Sequence, residues 1–257
     1  GGHDGGVDET ERLQALTADW FDKYLRGSNS TDVSDSQFEV SFAAGSVISS
    51  SSASKAPTVL QRAAYPGIDG SGGRQLELSG PAQPIVAPPG GVPATVGSLP
   101  GLSTASSLLG IAYPGQAAYF SSEPLSQELR IVGSSQVRLT ISSPVPVKDV
   151  VLFASLQTVS SSARAVTPNG LVAPIRLAEV GPTPTAVTVN LPAIATEVSA
   201  GEQVVIQVAT TNSAYKLPGT AAVYLVGLAD PKLAVAATTL TPVATAATRR
   251  NKARSSR

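Results

Sequence analysis

The sequence lacks both cysteine and methionine, and His3 is its only histidine in 257 residues. Without cysteine the chain forms no disulfides and offers no thiolate metal ligand or thiol nucleophile, and the redox compartment stays undetermined. No apolar run reaches the roughly 18 residues that span a bilayer, since the best candidate, AAVYLVGLADPKLAVAA, is interrupted by Asp230, Pro231 and Lys232. We therefore expect no membrane partner.

Neither sign of charge is in excess. Lys and Arg together number 18, Asp and Glu together number 18, and charged residues make up 14% of the chain. No overall field therefore attracts nucleic acid or an anionic membrane, and we expect no nucleic-acid partner. Position 1 is not Met and no secretory leader pattern precedes the first glycines, so we expect the chain to be part of a longer protein. The cysteine-free, Ser-, Thr- and Ala-rich composition is compatible with secretion, and the location is left open.

A helix is predicted directly after the first glycines. One apolar stripe with helical spacing runs along about four turns: Leu13, Leu16, Trp20, Phe21, Tyr24 and Leu25. Acidic residues at its start, basic residues at its end and Gly27 as a left-handed stop match the usual signals of helix termini. Aromatic stripes of this kind usually belong to a core, so we expect this stripe to be buried against a broad surface.

Beyond the helix, the pattern predicts short strands. FEVSF at 38–42 alternates apolar residues with the outward-facing Glu39 and Ser41. Similar runs recur between segments that contain proline or glycine: TVLQRAAY, RQLELSG, AAYFSS, ELRIVG, QVRLTISS, VVLFASLQTV, VAPIRLAEV, TAVTVNL, EQVVIQVAT and AAVYLVGLA. The stretch PIVAPPGGVPATVGSLPG at 84–101 is interpreted as a connection. It is rich in proline and glycine and so cannot lie in a central strand. Intervening helical patterns are missing, so the fold is predicted to be mainly β, a β-sandwich or jelly roll.

The strand-rich region offers little chemistry. Its acidic residues are scattered and are interpreted as solvated surface: Asp69, Glu77, Glu123, Glu128, Asp149, Glu179, Glu197, Glu202 and Asp230. Tyr65 and Tyr113, each in a YPG turn, are interpreted as turn or core packing, with a carbohydrate or peptide groove as the alternative. The basic residues after position 248 indicate a solvated tail, with a weak polyanion contact as the alternative. We predict no metal site and no cofactor.

His3 is the exception, because the GGHDGG loop and the helix after it have a mechanistic interpretation. In α/β-hydrolases the catalytic groups follow the chain order Ser, acid, His, so the histidine lies in a loop before a closing helix. Two alternatives remain open. In the first, His3 is an ordinary surface residue. In the second, a free amino-terminal Gly-Gly-His binds Cu(II) or Ni(II) in a square-planar arrangement.

Several motifs together resemble one family: GGHDGG, the helix end ADWFDKYLRG, the strand FEVSF and the later AYFSSEPLSQELRIVGSSQVRLTISS. They are similar to the C-terminal part of the X-prolyl dipeptidyl-peptidase and cocaine-esterase-like serine hydrolases. The resemblance implies that residues 1–36 end an α/β-hydrolase domain, 37–237 form a jelly-roll sandwich and 238–257 form a basic disordered tail.

The same resemblance implies a function. His3 corresponds to the histidine of a Ser-Asp-His triad whose nucleophile and acid precede this chain, and peptides or esters are the substrates. The upstream catalytic domain is the expected partner, this chain by itself is expected to be inactive, and no cofactor is needed. A non-catalytic β-sandwich binding module, with exposed aromatic residues converging on one face, is the alternative.

Overall fold

The computed structural model describes residues 9–27, 38–42, 58–65, 73–89, 114–237 and 240–242. The helix α1 spans Thr10–Arg26. The described strands, in chain order, are β1 Phe38–Phe42, β2 Thr58–Arg62, β3 Arg74–Ser79, β4 Gln83–Ala87, β5 Ala117–Ser122, β6 Leu129–Gly133, β7 Gln136–Ser142, β8 Val147–Val159, β9 Ala165–Val166, β10 Ala173–Val180, β11 Thr185–Asn190, β12 Ile194–Val198, β13 Gln203–Ala209, β14 Ala222–Leu228, β15 Lys232–Val235 and β16 Thr241–Pro242. A 3-10 turn, Pro168–Gly170, precedes β10. The mainly-β fold predicted from the sequence is confirmed.

The helix ends as the sequence predicts. Gly27 adopts the left-handed conformation with φ at 67°, and its backbone N–H donates to the Asp22 carbonyl. Lys23 and Arg26 lie in the last turn, where cations are favoured by the helix dipole. Arg26 also pairs with Asp22 one turn earlier, with Nη1 2.8 Å from Oδ1. These local contacts mark the end of α1.

The apolar stripe of α1 is exposed, and the prediction that it is buried is wrong for this chain. No residue of the helix is buried. The six stripe residues, Leu13, Leu16, Trp20, Phe21, Tyr24 and Leu25, keep between 41% and 72% of their surface accessible. Their aromatic rings contact one another along the helix: the Trp20 centroid lies 5.4 Å from that of Phe21 and 4.9 Å from that of Tyr24. Helical spacing predicts which face is apolar, but it does not specify what covers that face.

The described residues form two compact units, and the first contains α1, β1, β2 and β16. Strand β2 lies between β1 and β16, and both pairings are antiparallel. The sequence assigns 37–237 to the sandwich and 238–257 to a disordered tail. In the structure Thr241 and Pro242 pair with Gln61 and Leu60, so the chain forms a strand there, while 243–257 lie outside the described residues. The domain boundaries themselves stay a prediction.

The second unit is the sandwich, which contains β3 to β15. One layer has the strand order β10-β8-β13-β5 and the other has β7-β14-β4, with β11 added alongside β7. Strands β3 and β15 pair with each other and connect the layers, since β3 also pairs with β5 and β15 with β7. Alternate side chains of both layers point inward, as the period of two requires. The largest fully buried apolar residues are Phe120, Ile85, Ile131, Leu139, Ile141, Leu152, Ile206 and Leu233.

Four strands of the sandwich lie outside the runs that the sequence predicts as strands: β4, β9, β12 and β15. The stretch that begins at Pro84 was predicted to be a connection, yet residues 83–87 form β4, which pairs with β14. Because β4 ends the strand order, Pro84 lies on an edge strand, where the missing N–H of proline is tolerated. Strand β15 follows directly after Pro231, whose carbonyl accepts a hydrogen bond from the Leu78 N–H at 2.6 Å.

Candidate functional site

The one candidate catalytic residue from the sequence, His3, lies outside the described residues. The structure does describe the start of α1, which begins six positions downstream at the N-cap residue Glu9. The Glu9 carbonyl accepts the Leu13 N–H at 2.9 Å and so begins the helical hydrogen-bond series. The Glu9 side chain makes no capping bond, and glutamate is not among the residue types that usually cap a helix start, which are Ser, Thr, Asp and Asn.

The Glu9 carboxylate instead belongs to a four-residue cluster, called here the Arg12 cluster: Glu9, Arg12, Glu39 and Ser41. Arg12 Nε donates to Glu9 Oε1 at 2.8 Å, Arg12 Nη1 donates to Glu39 Oε2 at 2.7 Å, and Arg12 Nη2 donates to Ser41 Oγ at 3.2 Å. Ser41 Oγ in turn donates to Glu9 Oε1 at 2.8 Å. The cluster therefore joins the first turn of α1 to strand β1.

The sequence placed Glu39 and Ser41 on the outward face of β1 and interpreted nothing further from them. The structure shows that this polar face meets the Arg12 guanidinium. The Glu9–Arg12 spacing of i, i+3 at a helix start is the one signal in the sequence that points to this cluster, and it gives no information on the strand partner.

A second polar cluster lies on the outer face of the sandwich layer that contains β5, β13 and β8. Gln207 Nε2 donates to the Tyr119 hydroxyl at 3.1 Å, and Ser155 Oγ donates to Gln207 Oε1 at 3.4 Å. Nearby, Gln157 Nε2 donates to Thr167 Oγ1 at 3.3 Å. Only 1–2% of Gln157, Gln207 and Ser155 is exposed, so β8 and β13 are buried on both faces. The signal in the sequence is the presence of glutamine and serine inside two otherwise apolar runs, VVLFASLQTV and EQVVIQVAT.

The tyrosines singled out by the sequence have ordinary surroundings where they are described. Tyr65 packs against Phe38 with ring centroids 5.1 Å apart, which agrees with a packing role, and Tyr113 lies outside the described residues. Tyr215 stacks on the buried Phe153 at 4.8 Å between centroids.

Two of the acidic residues that the sequence interprets as solvated surface share one cation. Glu128 and Glu197 both pair with Arg130, at 2.9 Å and 3.0 Å, and all three side chains are well exposed. A surface arrangement of this kind is an ion pair and not a catalytic dyad. Asp69 lies outside the described residues. Among the residues that the structure describes, no three His, Asp or Glu side chains are grouped in a way that could hold a metal ion.

The described part of the chain also contains no helix of the length and apolarity needed to cross a membrane. The pKa of one buried group is shifted: desolvation by burial raises the pKa of the Tyr224 phenol above its ordinary value of 10.0. Tyr224 lies in β14 and belongs to the hydrophobic core of the sandwich, so the raised pKa reflects core burial and does not mark a catalytic group.

Comparison with known proteins agrees with the resemblance seen in the sequence. A family model described as the X-Pro dipeptidyl-peptidase C-terminal non-catalytic domain matches residues 51–225. A search of curated protein sequences finds no match.

Solved structures with a similar fold include two enzymes. A CocE/NonD family hydrolase from Staphylococcus aureus superposes with a TM-score of 0.55 at 12% identity, covering 91% of this chain and 46% of that protein. An aminopeptidase from a marine sediment Thaumarchaeota archaeon superposes with a TM-score of 0.54 at 13% identity, covering 90% of this chain and 44% of that protein. The chain spans less than half the length of either structure.

Proposed function

From the premise that the chain belongs to the X-Pro dipeptidyl-peptidase C-terminal non-catalytic domain family, we propose that it is the C-terminal portion of a serine hydrolase that cleaves amide or ester bonds. The serine nucleophile and the triad acid lie on an upstream catalytic domain. His3 is the general base, and the substrate is an Xaa-Pro peptide or an acyl ester. The β-sandwich packs beside the catalytic domain and performs no chemistry of its own.

The observation that carries the proposal is the exposed stripe of α1. A helix in a protein draws most of its stability from the packing of its apolar face, and α1 has 17 residues. This stripe contains Trp20, Phe21 and Tyr24, all roughly half exposed, and contiguous apolar surface of this kind marks an interaction site. A non-catalytic domain of a hydrolase family has a catalytic domain as its natural partner. The catalytic domain is therefore the occupant that we assign to the stripe.

The proposed chemistry follows from acyl transfer. His3, as the neutral imidazole, accepts the proton of the serine hydroxyl while that oxygen attacks the carbonyl carbon. It then returns the proton to the leaving amine or alcohol as the tetrahedral intermediate collapses. Water then attacks the acyl-serine, with His3 again accepting and returning a proton, and the acid product is released. Hydrolysis by this route uses no metal or cofactor, and a carboxylate on the upstream domain holds the second ring nitrogen of His3.

The test is the His3→Ala variant of the hydrolase that contains this chain, assayed on Xaa-Pro and ester substrates. We expect kcat to fall by about three to six orders of magnitude, as when a triad member is lost, with partial recovery on addition of free imidazole. Glu11→Gln, at an exposed position of α1, is the control and should keep wild-type turnover. Turnover of His3→Ala within tenfold of wild type would overturn the proposal.

A further inference from the structure

We propose that the outer face of strands β4 and β14 is the surface through which the β-sandwich docks onto its own catalytic domain. The proposal rests on the proposed function, which supplies that domain. Its structural basis is a group of four neighbouring apolar side chains, called here the β4–β14 patch: Pro84, Val86, Val223 and Leu225.

The strand register makes the patch contiguous. Val223 lies opposite Val86, and Leu225 lies opposite Pro84. Side chains of directly opposite residues on one face of an antiparallel pair are near enough to contact each other. Pro84 is exposed, and the two valines and the leucine keep 42% to 45% of their surface accessible. The outer face of these two strands therefore presents one uncharged apolar surface.

The core of the sandwich does not require this apolar character. Tyr224 and Val226 of β14 point inward and are buried, so β14 already has a complete inner face. An antiparallel strand with one face in water usually carries polar residues at its outward positions. In β14 these positions hold Val223 and Leu225 instead. In the other layer, outward apolar residues such as Phe153 are buried, and we expect the β4–β14 patch to be buried by its partner in the same way.

The free edge of β4 shows how a partner can approach. The edge of an antiparallel sheet exposes the backbone groups of alternate residues, here Pro84 and Val86. Proline has no N–H, the Val86 N–H donates to the Gly115 carbonyl at 2.8 Å, and the Val86 carbonyl accepts from Thr210 Oγ1 at 3.1 Å. These contacts hinder the addition of a strand, which is the common route by which a second copy joins an exposed edge. A partner therefore packs its side chains on the patch.

The size of the patch favours a partner on the same polypeptide. A stable interface between separate proteins buries about 800 Å² on each side and centres on aromatic or arginine anchors. Four side chains, none of them aromatic or charged, fall short of both requirements. A covalently linked domain needs less contact area, because the linkage raises its effective concentration. The catalytic domain of the proposed hydrolase is such a partner.

The test uses the absence of cysteine from the chain, which allows one engineered thiol to report on one position. Val223→Cys is introduced into the 257-residue chain and into the complete hydrolase, and the rate of maleimide labelling is measured after subtraction of any reaction of the wild-type hydrolase. We expect labelling to be at least about tenfold slower in the complete hydrolase, because a thiol in an interface reacts only when the interface opens.

Two further variants sharpen the comparison. Val151→Cys, at a 39% exposed position on the other layer, is the control and should react at the same rate in both proteins. Leu225→Asp, combined with Val223→Cys in the complete hydrolase, should restore fast labelling, because it places an unpaired charge in the interface. If Val223→Cys does not fold, Val86→Cys on the neighbouring strand replaces it.

The docking surface and the proposed function fail in different ways. If the complete protein takes up no fluorophosphonate, the proposed function fails, and the patch loses its assigned partner with it. If the complete protein is labelled by fluorophosphonate and Val223→Cys reacts equally fast in both proteins, the proposed function stands and the docking surface is overturned. Equal slowing of Val223→Cys and Val151→Cys also overturns it. Slow labelling in the 257-residue chain that becomes faster on dilution would assign the patch to a second copy and contradict the proposal.

Discussion

The carbonyl oxygen of Val235 lies where a Cβ atom on Gly73 would have to stand. No side chain fits there, since the obstacle is the backbone of β15 and not a flexible side chain. Gly73 precedes β3, whose Arg74 pairs with Val235, so this close approach occurs where β3 and β15 connect the two layers of the sandwich.

We predict that Gly73→Ala destabilises the sandwich by about 2 to 4 kcal/mol, because the two strands must separate or shift to admit a methyl group. Denaturant unfolding followed by circular dichroism measures the change. Gly219→Ala is the matched control, since a Cβ on Gly219 meets no atom within 4 Å. Equal midpoints for the two variants would contradict the packing described for β3 and β15.

The buried Tyr224 predicts a loss of stability in alkali. Only 5% of Tyr224 is exposed, and desolvation raises the pKa of its phenol in the folded state above 10.0. The contribution of the neutral Tyr224 phenol to the free energy of unfolding is therefore complete below pH 10. It is lost as pH rises through the folded pKa, because the phenol ionises first in the unfolded chain. Tyr224→Phe should reduce the fall in unfolding free energy as pH rises above 10. Parallel pH curves for wild type and Tyr224→Phe would rule the effect out.

Because the stripe of α1 is exposed in this chain, we predict that a substitution in it lowers the free energy of unfolding more in the complete hydrolase than in the chain alone. In the 257-residue chain Trp20 is 49% exposed, and we expect Trp20→Ala to change the free energy of unfolding by about 1 kcal/mol or less. If the catalytic domain covers the ring as proposed, the same change should cost about 3 to 5 kcal/mol in the complete hydrolase. Val145→Ala, at a 62% exposed position of the sandwich, should have the same small effect in both. An equal cost of Trp20→Ala in the two proteins would show that the stripe is not covered.

The outer polar cluster predicts a measurable role for one hydroxyl. Tyr119→Phe removes the hydroxyl oxygen that accepts a bond from Gln207 Nε2, whose side chain is 2% exposed. We expect a loss of about 1 to 2 kcal/mol in denaturant unfolding. Tyr65→Phe removes a hydroxyl from a side chain that is 46% exposed, and it should cost less than about 0.5 kcal/mol. Loss of stability in Tyr65→Phe alone would contradict this account of the cluster.

Much of the fold is predictable because the strands carry strong local patterns. Strand β3 alternates as RQLELS, and Leu76 and Leu78 are buried while their neighbours are exposed, as a period of two demands. Strands β4 and β15 escape prediction because Pro84 and Pro231 suggest breaks. In the structure one proline is tolerated at a sheet edge and the other belongs to a turn whose carbonyl bonds Leu78.

The candidate site is less predictable, and the reason is physical. The helical period fixes which face of α1 is apolar, but whether Trp20 is buried depends on a partner surface that local sequence does not encode. The contact of Arg12 with Glu39 joins residues 27 positions apart, and no periodic pattern relates a helix start to a strand across a loop. Glu9 and Ser41 meet in the same way, 32 positions apart.

Fluorophosphonate labelling of the native protein that carries this chain, followed by determination of its intact mass, decides whether the chain belongs to a serine hydrolase. The 257-residue chain has a mass of 26.0 kDa. We predict a labelled protein of well over this mass. The label lies on a serine upstream of His3, and labelling is lost in His3→Ala. An unlabelled protein of about 26 kDa would contradict this prediction, since the sandwich and its helix would then exist without a catalytic domain.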